Sequence, residues 1–125
     1  MDKNLLLQVV TREAQKIWRD LGAIYPSLRG FKAPEIRLND RLYRTAGYCQ
    51  QDQNRIDLGT KFFLYSKEYR DQMIDIILPH EIIHQADFFL HGESDLKCGH
   101  GTGWREIMEN YGLPAEPFHQ MEITR

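Results

Sequence analysis

A chain of 125 residues with 42% hydrophobic and 27% charged side chains has the size and composition of one ordinary globular domain. Sixteen basic residues against eighteen acidic ones leave a net charge of −2, which excludes a global attraction to nucleic acid or to an anionic membrane. Two cysteines, Cys49 and Cys98, are too few for a disulfide framework, and no apolar run approaches the roughly 20 residues needed to cross a bilayer. The N-terminal residues lack the pattern of a signal peptide, so a cytoplasmic location with no membrane partner is expected.

Leu6, Val10, Ala14, Ile17 and Leu21 recur at helical spacing. They predict an N-terminal helix capped by Asp2 or Asn4 and closed at Gly22. Residues 22–33 carry glycine and proline punctuation and read as a loop. Three short strands are predicted next, over residues 34–39, 44–50 and 54–58, with the polar stretch Gln50 to Asn54 as a hairpin connection. They form a small, mostly antiparallel sheet. Thr60 to Ser66 adds one or two helical turns. A long helical pattern then runs from about Glu68 to Leu90, and Pro79 inside it predicts a kink. A loop from His91 to Gly101 leads to a C-terminal helix with Thr102 as N-cap. Its apolar positions are Trp104, Ile107, Met108 and Tyr111, and Gly112 and Pro114 end it. Residues 117–124 read as a further strand.

Within the long helix, His80-Glu81-Ile82-Ile83-His84 carries the chemistry. Residues four apart project from one face, so both imidazoles reach one cation at zinc–nitrogen distances of roughly 2.0–2.1 Å. Glu81 is one step round the helix, placed to act as general base toward a water at the metal. The flanking Ile76, Ile77, Leu78, Ile82 and Ile83 mean that these polar groups are buried, which is costly without a partner.

A hydrolytic zinc site needs a third protein ligand and an open fourth position. His91, about 10 Å beyond His84 along a continuous helix, cannot share the ion. His100, in the loop before the last helix, is the leading third ligand. Cys98 is a softer rival, and Glu106 and Glu109 are carboxylate alternatives. His119 is a candidate for orienting a ligand or binding substrate, and Tyr48 for lining a cleft. Arg37, Arg41 and Arg44 read as a solvated face or a basic patch.

His80-Glu81-x-x-His84-Gln85 followed by His100-Gly101-x-x-Trp104-x-x-x-Met108 resembles the SprT-like metalloprotease domain, the group that includes Spartan proteases. The likeness continues into Gly112-Leu113-Pro114-Ala115 and His119-Gln120. Upstream it takes in Thr45-Ala46-Gly47, Ile56-Asp57-Leu58 and Pro79. The downstream His-Gly-x-x-Trp narrows a choice that His-Glu-x-x-His alone leaves wide.

The resemblance implies one SprT-like domain over residues 1–125, an α+β zincin-like fold of the minigluzincin type. Its expected parts are an N-terminal helix, a short mostly antiparallel sheet, a helix bearing the motif and a C-terminal helix. It implies one zinc ion per chain held by His80, His84 and His100, with Glu81 as the catalytic glutamate of a zinc-dependent endopeptidase. The substrate class is protein or peptide, and in the family's better-studied members it is protein bound or crosslinked to DNA. A domain without a cysteine-rich zinc ribbon is expected, and the near-neutral charge departs from that of a dedicated DNA binder. The rival reading is a non-catalytic, metal-stabilised module that docks on nucleoprotein.

Overall fold

The computed structural model describes residues 2–92 and 101–113. Its elements are α1 (Lys3–Ile24), β1 (Glu35–Asn39), β2 (Gly47–Gln50), β3 (Arg55–Gly59), α2 (Thr60–Tyr65), α3 (Lys67–Gln72), α4 (Leu78–His91) and α5 (Thr102–Tyr111). The architecture is α+β, with helices packed against a three-stranded sheet.

α1 begins where the cap residue places it: the Asp2 carboxylate accepts the Asn4 N–H at 2.8 Å. Leu6, Val10, Ala14, Ile17, Trp18 and Leu21 are its buried stripe. The helix does not stop at Gly22 as its pattern predicts. Gly22 is buried inside it, its carbonyl accepts from Arg29 Nε at 3.0 Å, and the helix runs on to Ile24. Pro26, which cannot continue the hydrogen-bond ladder, opens a short 3-10 turn over Pro26–Gly30.

The sheet differs from expectation in its directions. Its order is β1-β3-β2, with β1 parallel to β3 and β2 antiparallel to β3. The hairpin is as predicted: a 3-10 turn at Gln51–Gln53 and left-handed Asn54 (φ 50°) reverse the chain between β2 and β3. Turn residues determine only that local pairing. The connection from β1 to β2 is long enough to carry the chain past a strand position, which β3 then fills. Ile56 and Leu58 of the central strand are fully buried, as are Phe62 and Phe63 of α2.

Residues 67–91 are continuously helical, but the expected kink at Pro79 takes another form. Met73–Ile77 winds as a π-helix, and the Leu78 N–H donates to the Met73 carbonyl, five residues back. A proline ring collides with the carbonyl four residues before it in a regular α-helix, and the wider turn relieves that collision. Pro79 then stands in the first turn of α4, so the ladder hydrogen bond that its missing N–H cannot make falls at the junction of the two windings.

α5 starts one residue earlier than predicted, with Gly101 rather than Thr102 as N-cap. Its apolar stripe of Trp104, Ile107 and Met108 is buried, and left-handed Gly112 (φ 96°) closes it. Pro114 and the strand predicted over 117–124 lie outside the described residues. No described helix is long and apolar enough to cross a membrane. In urea unfolding, Asp2→Ala is expected to cost about 1 kcal/mol through the lost cap. Leu58→Ala, which empties a fully buried site in the central strand, is expected to cost about 3 kcal/mol.

Candidate metal centre

Every residue of α4 from Leu78 to Asp87 is buried, the polar ones included. α1, β2 and α5 all pack against this helix. The helical spacing stacks His80 and His84 one turn apart, with ring centroids 4.8 Å apart. Their Nε2 atoms point at the same place and are 3.1 Å apart. Two nitrogens bound tetrahedrally to one zinc at 2.0–2.1 Å stand roughly 3.3 Å apart. The observed separation therefore suits a shared cation, or a single proton held between two neutral rings.

Glu81 closes the group. One of its carboxylate oxygens and one nitrogen from each imidazole all lie within 4.8 Å of one another. Glu81 Oε1 is 3.9 Å from His80 Nε2, and Oε2 is buried with no hydrogen-bond partner among the described residues. A buried acceptor left in this way costs about 1–3 kcal/mol unless something occupies the space beside it. Two imidazoles and a carboxylate form a nitrogen and oxygen donor set that zinc and similar divalent ions accept. The group is able to hold a metal ion.

Burial also raises the Glu81 carboxyl from its ordinary 4.5 to about 8. Without a cation the side chain is a neutral acid at neutral pH. An adjacent divalent charge favours the carboxylate and reverses that effect.

The backbone of α4 is tied to the hairpin by side chains whose role the sequence did not reveal. Gln51 Nε2 donates to the carbonyl of His84 at 3.2 Å. Gln85 Nε2 donates to the carbonyl of Gln51 at 3.0 Å, and the Cys49 thiol donates to Gln85 Oε1 at 3.2 Å. Burial, and next to it the Glu81 charge, push the Cys49 thiol far above its usual range, so it stays protonated and serves as a donor. This clamp fixes α4 lengthwise against β2. Only the polarity of Gln50 to Asn54 and the glutamine after the motif hinted at it.

Trp104 of α5, which the sequence marks only as an apolar helix position, lies directly on the imidazoles. Its ring is 4.9 Å from His80 at 65° and 5.3 Å from His84 at 18°. The other sequence candidates fall elsewhere. His91 ends α4 and pairs with Asp87 at 2.7 Å. Glu106 and Glu109 are exposed on α5 and do not join the group. Tyr48 OH donates to Asp57 Oδ2 at 3.1 Å, on the sheet. Arg37, Arg41 and Arg44 are exposed, Arg37 beside Glu35 and Arg44 over the Tyr43 ring. His100, Cys98 and His119 lie outside the described residues.

Comparison with known families matches residues 14–124 to the family described as SprT-like. The chain belongs to that family. The matched span covers α1 from its middle, the whole sheet, the motif helix and α5, so the SprT-like likeness extends well beyond the His-Glu-x-x-His residues. No curated protein and no solved structure matches the chain.

The raised Glu81 pKa has a measurable consequence in metal-free protein. Between pH 4.5 and about 8 the folded chain keeps a proton that the unfolded chain has lost. The Glu81 contribution to stability is complete below 4.5 and is lost as pH rises to 8, at up to about 1.4 kcal/mol per pH unit. Glu81→Gln has no such proton to lose. Its unfolding free energy relative to wild type should therefore climb between about pH 5 and about pH 8. A flat difference across that window would contradict the assignment.

Proposed function

We propose that this SprT-like chain is a zinc-dependent endopeptidase with a zincin-like active site, in which His80, His84 and His100 hold one zinc ion and Glu81 is the general base. The convergence of the two Nε2 atoms beside the orphaned Glu81 oxygen carries this reading. His100 enters on sequence grounds, as the histidine two residues before α5, the helix whose Trp104 already rests on both imidazoles. The exposed positions of Glu106 and Glu109 favour it over them.

When bound, the ion supplies Lewis acidity toward a water and a substrate carbonyl. The chain's own groups do the rest. His80 and His84 present neutral nitrogens from a helix that the Gln51–Gln85–Cys49 clamp keeps from sliding. Glu81 takes the proton from the attacking water on its carboxylate and passes it to the leaving amine. The apolar surroundings of α4 limit competing solvent around that carboxylate. Among the described residues β2 is an edge strand that borders α4, so an extended peptide pairing along it would lie beside the motif.

Protein associated with or crosslinked to DNA is the substrate class that we propose, on the strength of the family resemblance. A single domain over residues 1–125 acting in the cytoplasm completes the reading, in keeping with Cys49 as a free thiol.

The deciding experiment measures metal content and the cleavage of casein and of a DNA-binding protein, with and without single-stranded DNA. Wild type should carry one zinc per chain and cut, and DNA should stimulate the cutting. Glu81→Gln should keep its zinc and lose about 10²–10⁴ in rate. Zinc retained with no cleavage under any condition would identify a docking module instead. His100→Ala should weaken zinc binding, and an unchanged affinity would remove His100 from the ligand set.

A further inference from the structure

The polar stripe of α4 does not end with the metal-binding group. His80, His84, Asp87 and His91 follow one another at spacings of four, three and four, so they share one face of the helix. The first two belong to the site described above, whereas Asp87 and His91 have no part in the proposed reaction. Asp87 is 5% exposed, and its Oδ1 lies 2.7 Å from His91 Nδ1. The His91 side chain is half exposed and anchors the buried carboxylate from the solvent side.

The first turn of α5 presses on this pair. A Cβ atom at Gly103 would stand 2.6 Å from Asp87 Oδ1, 2.6 Å from His91 Nδ1 and 3.0 Å from His91 Cε1. Glycine is therefore required there for space, because no side chain fits between the two helices. A carboxylate at that point also complements the partial positive charge of a helix N-terminus. The next residue is Trp104, fully buried on His80 and His84. Close packing transmits a displacement of α5 directly to that ring.

We infer that Asp87, His91 and Gly103 form a seat that determines where α5 crosses α4, and that they act through Trp104 as positioning residues for the imidazoles of the metal centre. The inference rests on the metal-centre reading proposed above and adds to it three residues outside the donor set. Asp87 and His91 supply a bonded platform, Gly103 supplies the close approach, and Trp104 carries the resulting position to the two rings.

Gly103→Ala tests the seat, alone and combined with His91→Ala, which removes the ring that the new methyl group would strike. Two readouts separate this inference from the hydrolase reading. One is the position of the His80 and His84 Hε1 resonances in metal-free protein, which the adjacent Trp104 ring shifts. The other is zinc affinity by competition with a chelator. Gly103→Ala should move both resonances toward their ordinary positions and weaken zinc binding roughly tenfold, a typical effect of disturbing groups around a ligand set. The loss caused by Gly103→Ala should be smaller in the His91→Ala background than in wild type, because part of what the methyl group strikes is gone. Should Gly103→Ala fail to fold by circular dichroism, His91→Ala alone should shift the same resonances in the same direction. Unchanged resonances with affinity within about twofold of wild type would overturn the seat. So would an equal loss in both backgrounds. If wild type bound no zinc while Gly103→Ala still moved the resonances, the seat would stand and the hydrolase reading would fall.

Discussion

The organising constraint in this structure is the burial of polar side chains along an apolar helix. His80, Glu81, His84, Gln85 and Asp87 are all withdrawn from water on α4, among Leu78, Ile82, Ile83 and Ala86. Such groups destabilise a core unless each finds a partner. Gln85 finds the hairpin carbonyl and the Cys49 thiol, and Asp87 finds His91. The two imidazoles face each other, and Trp104 covers them. Glu81 alone of the five keeps a buried oxygen with no partner among the described residues. The arrangement of β2, its hairpin turn and α5 is largely the set of answers to that constraint.

The elements that report on local patterning were legible in the sequence. α1, α5, the three strands and the hairpin follow from periodicity and turn chemistry, because each is settled by residues close together in the chain. What escaped depends on contacts between distant segments. Gly22 reads as a helix terminus, yet burial and the Arg29 contact carry α1 past it. The parallel pairing of β1 with β3 joins segments twenty residues apart, such as Glu35 with Arg55, and no turn residue announces it. Pro79 was rightly a disturbance, but whether a helix bends or widens at proline is decided by the packing around it.

The site divides in the same way. His80, Glu81 and His84 were visible because a single helical turn brings them together, and the structure gathers them into one group able to hold a metal. The clamp from Gln51 to His84 spans thirty-three residues and was invisible, as was the part played by Cys49. Trp104 reads as an apolar position of the last helix, and it is core; its contact with both rings depends on how α5 packs on α4. Asp87 takes no part in the donor set that the sequence suggests. Its spacing from His84 and His91 was already a sign of a continued polar face.

The π-helical turn at Met73–Ile77 gives the molecule a length buffer ahead of its most sensitive helix. A π turn accommodates one residue more than an α turn over the same rise. Loss of a single residue within it restores the ordinary winding and leaves the rotational phase of α4 as it was. A loss inside α4 turns the histidine face by about 100° and carries it away from β2 and α5. A one-residue loss at this turn would therefore keep the inner face in register, at the cost of restoring the collision between Pro79 and the carbonyl four residues before it.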